Sequence, residues 1–128
     1  MLISETRGRV RVVTLNRPEA RNAVNPALAR RLYAEMRAFE ADQGADVAVL
    51  TGAGGAFCAG FDLKSAAGGE GADWIAGLDI PDDWNDPATQ PLPGPMGPSR
   101  LMLSKPVIAA IEGPAVAGGM ELALWCDM

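Results

Sequence analysis

Two glycine-rich stretches, which begin sixty residues apart at positions 53 and 113, constrain the fold of this chain more than any other feature. Each stretch follows a short apolar run that predicts a buried strand, and each leads into a segment of helical character. Glycine at such a junction lets the backbone turn sharply and brings bare amides close to a ligand. Two such junctions side by side would present two N–H groups to one oxygen, which is the geometry of an oxyanion hole.

The segments around these stretches alternate between strands and helices. Apolar residues predict strands at 9–15, 46–51 and 106–111, and the second run is continuous enough to be covered on both faces. An asparagine followed by proline marks the start of a predicted helix over 26–41. The segment 119–128 is apolar almost all round, so we expect a buried helix there. This order of elements is typical of an α/β fold.

Residues 66–99, the excursion, differ in composition from the rest of the chain. They hold a cluster of glycines, six of the ten prolines and six acidic residues, with no lysine or arginine. A stretch this long and this rich in proline predicts a mobile lid or a surface loop rather than part of the core. Its larger apolar residues either form a short helix that covers an apolar pocket or merely anchor the loop to the surface. These residues are Trp74, Ile75, Leu78 and Trp84.

The composition excludes several classes of function. The 128 residues are enough for one domain, and the formal net charge of −5 argues against nucleic acid or an anionic membrane as a partner. Without any histidine, a Ser-His-Asp triad, Cys-His catalysis and a His-ligated zinc site are all excluded. Cys58 and Cys126 are too few for a Cys-only metal site, so we expect no metal. The sequence leaves a disulfide between them open and favours buried free thiols. No secretory signal or membrane span is visible, and the expected location is the cytoplasm.

Several sequence blocks resemble one known family. Asn-Arg-Pro-Glu-Ala-Arg-Asn-Ala occupies 16–23, and Leu-Thr-Gly at 50–52 precedes Ala-Phe-Cys-Ala-Gly-Phe-Asp-Leu at 56–63. Lys-Pro-Val-Ile-Ala-Ala-Ile-Glu-Gly at 105–113 leads to Gly-Gly-Met-Glu-Leu-Ala-Leu-Trp-Cys-Asp at 118–127. In order and spacing these blocks resemble the crotonase (enoyl-CoA hydratase/isomerase) superfamily. Members of that superfamily are longer, so the match is to their N-terminal half only.

The resemblance implies both a fold and a set of site residues. The fold would be a crotonase-like (ClpP/crotonase) spiral of β-β-α units, incomplete at the C-terminus, with residues 1–128 in a single domain. The backbone amides of Phe61 and Gly118 would form the oxyanion hole for a thioester carbonyl, and Glu121 would hold and activate water. The residues that would bind the coenzyme A part of the substrate are Ala59, Gly60, Lys64, Asn22 and Ala23. No cofactor other than this substrate moiety is implied.

The activity implied by the resemblance is hydration or isomerisation of a 2-enoyl-CoA thioester through an enolate. A second glutamate of the family's hydratases lies in the C-terminal half and has no counterpart here. A non-catalytic acyl-CoA-binding fragment that needs a partner half therefore stays open, as does other enolate chemistry on the same fold. Family members assemble as trimers or hexamers, so the full-length protein is expected to be a homo-oligomer. Because no base is available to activate Cys58, we interpret it as a small packing residue rather than a nucleophile.

Overall fold

Four strands lie side by side in chain order in the computed structural model, which describes residues 1–128. They are β1 (Leu2–Arg7), β2 (Val10–Leu15), β3 (Val47–Gly52) and β4 (Val107–Ala110). Strands β2, β3 and β4 are parallel, whereas β1 pairs with β2 in an antiparallel hairpin that turns at Gly8. The three predicted strands are confirmed. Strand β1 was not predicted because only Leu2 in it is buried, which leaves no apolar alternation for the sequence to show.

Helix α1 (Pro26–Ala41) connects β2 to β3, and its bounds confirm the helix predicted over 26–41. Its start is fixed locally, because the Asn25 side chain accepts a hydrogen bond of 2.9 Å from the Leu28 N–H. Proline at the first helical position lacks an N–H that would have no partner there in any case. One stripe of the helix is fully buried in the core, and this stripe consists of Leu28, Leu32, Met36 and Phe39.

Extended backbone outside the sheet forms a second set of pairings. It consists of two parallel pairings of single residues, Val24 with Phe61 and Cys58 with Ala115. Helices α2 (Leu63–Ala67) and α3 (Gly69–Ala76) follow Phe61 in the chain, and α4 (Gly118–Trp125) follows Ala115. A 3₁₀ turn at Pro18–Ala20 precedes Val24. A strand of the sheet, a short extended segment and a helix thus follow one another three times. This is the predicted α/β arrangement of β-β-α units.

The excursion is more than a surface loop, which corrects the sequence-based expectation. The hydrophobic core includes three of its side chains, those of Trp74, Leu78 and Met96. Ile75, the residue after Trp74 on helix α3, lines an apolar cleft. The indole N–H of Trp74 donates to the carbonyl oxygen of Pro95 at 3.0 Å. Proline-rich backbone has few hydrogen bonds of its own, so side chains that donate to its carbonyls fix it against the core.

Helix α4 is less buried than predicted. Gly119 and Leu122 are buried, but Met120 is 53% exposed and Leu124 is 77% exposed. The helix packs against the chain along one side, so apolar residues on its other side face outward. None of the helices combines the length and the apolar character needed to cross a membrane.

Candidate active site

The two glycine-rich loops lie in direct contact. The Cys58 N–H donates to the Pro114 carbonyl at 3.2 Å, and the Val116 N–H donates to the Cys58 carbonyl at 3.1 Å. Gly119 approaches so closely that a Cβ there would lie only 2.7 Å from the Cys58 carbonyl carbon. Glycine is therefore required at the start of α4 because backbone of the first loop occupies the space of a side chain.

The Phe61 N–H points away from the segment that holds it. The Val24 N–H donates to the Gly60 carbonyl, and the Asp62 N–H donates to the Val24 carbonyl, both at 2.8 Å. Backbone groups alternate in direction along an extended segment, so the groups of Phe61 itself face the opposite side. The Phe61 N–H donates no hydrogen bond to any group of the chain.

The Gly118 N–H is also without a partner in the chain. Gly118 is the first residue of α4, where a backbone amide has no intrahelical acceptor. The preceding Ala117 has φ 50° and ψ −122°, a conformation rarely adopted by residues with a side chain and one that is found at functional sites. The Gly118 nitrogen lies 3.2 Å from the position that a Cβ on Gly60 would occupy. The structure thus brings an unpaired amide of the second loop next to the residue that precedes Phe61.

Glu121 lies in the first turn of α4, one helical turn after Gly118. Its side chain is exposed and forms no ion pair within the chain. An acidic residue is favourable near a helix N-terminus in any protein, which is the structural explanation for a glutamate here. Its unengaged carboxylate on the helical face that carries Gly118 is equally suited to bind a water molecule.

Two clefts adjoin Phe61. One has a volume of about 370 Å³ and combines apolar groups with four charged side chains, which are those of Arg17, Glu19, Asp62 and Lys64. The other, of about 580 Å³, is bounded by the small residues of α2 and α3, together with Ile75 and Pro95. Phe61 lines both clefts, whereas Gly118 and Glu121 line neither.

The predicted coenzyme A residues divide into two groups. Ala23, Ala59 and Lys64 line the polar cleft. Gly60 does not line it, and Asn22 is completely buried. The Asn22 side chain accepts from the Arg17 N–H at 2.8 Å and donates to two carbonyl groups of the first glycine-rich loop, at 2.8 and 2.9 Å. With its hydrogen-bonding capacity engaged in this way, the Asn22 side chain holds the loop and is not free to bind a ligand.

Sequence reasoning did not single out Arg17 and Asp62 as a pair. The Arg17 guanidinium lies 2.7 Å from an Asp62 carboxylate oxygen, and both side chains are largely buried. Asp62 also caps α2 by accepting hydrogen bonds from the N–H groups of Lys64 and Ser65. The hydrogen bond from Arg17, followed by those from the two amides, lowers the pKa of Asp62 below its usual value. The position of Asp62 directly before a helix was a local signal for its capping role, whereas nothing local links it to Arg17.

Both cysteines are buried free thiols, which confirms the expectation from the sequence. Burial raises the pKa of Cys58, and burial with the nearby Asp127 carboxylate raises the pKa of Cys126 to about 11. Both thiols therefore stay protonated at neutral pH. The Cys58 side chain is buried beneath the loop to which it belongs, and the Gly60 N–H approaches its sulfur at 3.4 Å.

Solved structures of enoyl-CoA hydratases have the same fold. A crystal structure of an enoyl-CoA hydratase from Mycobacterium tuberculosis H37Rv matches 99% of this chain with a TM-score of 0.80 and 42% identity. The chain spans 44% of that protein. A carnitinyl-CoA hydratase from Mycobacterium avium matches with a TM-score of 0.78 and 36% identity, again over 99% of this chain and 44% of the other. The fold is therefore part of a crotonase-like α/β fold, as predicted.

The amino-acid sequence gives the same result. Residues 5–94 match the family model of enoyl-CoA hydratase/isomerase. A probable enoyl-CoA hydratase of Rhizobium meliloti is 41% identical over 98% of this chain and 44% of its own length. The chain belongs to the enoyl-CoA hydratase/isomerase family of the crotonase superfamily. It spans less than half the length of the curated relatives that it matches.

Proposed function

We propose that the protein processes an acyl-CoA thioester, with the N–H groups of Phe61 and Gly118 as donors to the thioester carbonyl oxygen. The observation that carries this proposal is the pair of unpaired backbone amides on two loops in contact. Donors fixed in place before the reaction stabilise negative charge as it develops, without the reorganisation that water would need. Family membership supports a thioester as the group to be held.

The proposed reaction is addition of water to the double bond of a 2-enoyl-CoA. The water oxygen bonds to C3, and the electrons of the double bond move towards the thioester oxygen, where the two amides hold an enolate. Glu121 is proposed to orient the water and accept its proton, and the enolate regains its carbonyl when C2 is protonated. A carboxylate is suited to this role because it can take a proton from water and return it to carbon.

The two clefts supply a binding arrangement for such a substrate. We assign the polar cleft with Lys64 to the coenzyme A portion, since a cation there attracts phosphate groups. The apolar cleft would receive the acyl chain, which gains free energy when its methylene groups leave water. Curated relatives include proteins named mevalonyl-coenzyme A hydratase and carnitinyl-CoA dehydratase, and these names support a CoA thioester as the class of substrate.

A pair of substitutions at Gly118 tests the role of its amide. Proline removes the N–H, and the first position of a helix tolerates proline. Alanine keeps the N–H and adds the same Cβ against the flexible side chain of Met96, so it is the matched control. With crotonyl-CoA as substrate, Gly118→Pro should be slower than Gly118→Ala by about a hundredfold to a thousandfold. Equal rates in two folded variants would rule out the Gly118 amide as a donor.

A second candidate function is binding of acyl-CoA without turnover until another segment completes the site. Glu121 is the only acidic residue of α4, and the chain spans 44% of its relatives. In this case the protein binds a CoA thioester but consumes none, and a chain that supplies the remaining part of the family fold restores turnover. Turnover of crotonyl-CoA by the protein alone would reject this candidate.

A further inference from the structure

The backbone that presents the Phe61 amide is held by very little secondary structure. Phe61 pairs with Val24 alone, through two hydrogen bonds to its neighbours, Gly60 and Asp62. An isolated pairing of this kind has no ladder beyond Asp62, and on its other side one further backbone hydrogen bond joins the segments, from the Ala59 N–H to the Arg21 carbonyl at 3.0 Å. Its direction therefore depends on contacts made by side chains on either side of it.

Arg17 spans this pairing with one guanidinium group. Its Nη1 donates to the Ala23 carbonyl at 2.8 Å, and its Nη2 lies 2.7 Å from the Asp62 carboxylate. Ala23 directly precedes Val24, and Asp62 directly follows Phe61. One planar fork thus ties the two paired segments together at the residues that flank the pairing.

Arg17 and Asp62 are each also held by another contact. The Arg17 backbone N–H donates to the fully buried Asn22 side chain at 2.8 Å. Asp62 is held from the other side by the Lys64 N–H at 2.8 Å. The Arg17 and Asp62 side chains are only 19% and 10% exposed, so water competes weakly for their contact. Because the Arg17 guanidinium holds both Ala23 and Asp62, it restricts the direction of the Phe61 N–H.

We infer that Arg17 is a positioning residue for the proposed oxyanion hole, because its guanidinium links Ala23 to Asp62 across the Val24–Phe61 pairing and so directs the Phe61 N–H. The inference rests on the proposed function. It assigns Arg17 to the reaction step rather than to coenzyme A binding, although Arg17 also lines the polar cleft. The charge that Arg17 would offer to a phosphate is already engaged by Asp62.

The test compares Arg17→Lys, Arg17→Met and Asp62→Asn with the unaltered protein. Lysine keeps the positive charge but cannot bond to two separated acceptors in the same plane. Asparagine at position 62 keeps an oxygen to cap α2 and loses the ion pair. Arg9→Met is the control, because Arg9 forms an ion pair with Asp46 at an exposed position remote from the clefts.

Two readouts separate positioning from a general loss of stability. For crotonyl-CoA we expect kcat to fall about tenfold to a hundredfold in all three site variants, with KM changed less than about threefold. In infrared difference spectra with a ¹³C-labelled thioester, the carbonyl band of the bound ligand should move back towards its position in water. A purely structural role would lower the melting temperature and leave the band of the folded fraction unchanged. The Arg9 variant should match the unaltered protein in both readouts.

The possible outcomes differ in what they refute. Unchanged kcat and an unchanged carbonyl band in folded Arg17→Met or Asp62→Asn would overturn the inference. A rise in KM alone would also overturn it, since Arg17 would then act on coenzyme A. Full activity of Arg17→Lys would overturn it as well, because a single positive charge would then be enough and the two-acceptor guanidinium would not be needed. If the unaltered protein shifts no carbonyl band and turns over no thioester, the proposed function itself fails, and this inference fails with it.

Discussion

Replacing Gly119 with alanine is the most direct test of how closely the two loops must approach. The new Cβ would lie 2.7 Å from the Cys58 carbonyl carbon, and nearer still to its oxygen. Carbon atoms in contact rest at about 3.5 Å, so α4 and the first loop must separate by at least about 0.8 Å, and by more to clear the oxygen. Neither side can yield by rotating a side chain, because the obstacle is backbone on which Val116 also depends for a hydrogen bond.

The expected cost has two parts. Overpacking of this kind destabilises a protein by about 1–3 kcal/mol, and displacement of a catalytic group by nearly 1 Å lowers kcat by about a hundredfold. Urea unfolding measures the first part, and ultraviolet absorbance of the enoyl thioester of crotonyl-CoA follows the second. Gly69→Ala is the matched control, because Gly69 also begins a helix but nothing lies within 4 Å of its Cβ position. That control should be neutral or slightly stabilising. A Gly119→Ala protein with normal stability and rate would refute the reasoning.

Two further predictions concern the residues that support the site. Asn22→Ala removes three hydrogen bonds made by a buried side chain and leaves alanine at φ 58°, so we expect the free energy of unfolding to fall by about 3–5 kcal/mol. Urea unfolding would measure it against Asn16→Ala at an exposed position, and a loss below about 1 kcal/mol would contradict the prediction. The second concerns pH: because Arg17 lowers the pKa of folded Asp62, its contribution to stability is present above the ordinary carboxyl pKa and is lost as pH falls through the lower folded value. Between about pH 5 and pH 2 the unaltered protein should therefore lose more stability than Asp62→Asn, and parallel curves of unfolding midpoint against pH would contradict this.

Elements with local signals could be predicted from the sequence. Helix α1 has a capping asparagine, a proline at its first position and a continuous apolar stripe, and its bounds match the prediction. Strand β1 lacks such signals because it owes its place to backbone pairing with β2 at the sheet edge. The exposed side of α4 was also missed, since an apolar composition does not reveal which contacts are available to a helix.

The candidate site shows the same division. The glycine-rich loops could be predicted as partners because each follows a strand of the same parallel sheet. The contact between Arg17 and Asp62 could not be predicted, because the two residues are 45 positions apart and no local signal at either one points to the other. The engagement of Asn22 in the interior was likewise hidden, since its acceptors and donors come from separate parts of the chain.

The space that a side chain at position 118 would need is occupied by the sulfur atom of Met96, which belongs to the excursion. A Cβ on Gly118 would lie 2.5 Å from the thioether sulfur of Met96, which is almost completely buried. Pro95, the residue before it, forms part of the wall of the apolar cleft. If this cleft receives the acyl chain, as proposed, any redesign of its wall for longer or bulkier acyl groups also shifts the side chain that contacts Gly118. We therefore expect that exchanging this segment with that of a relative keeps the proposed Gly118 donor in place only where the side chain at position 96 has the length and flexibility of methionine.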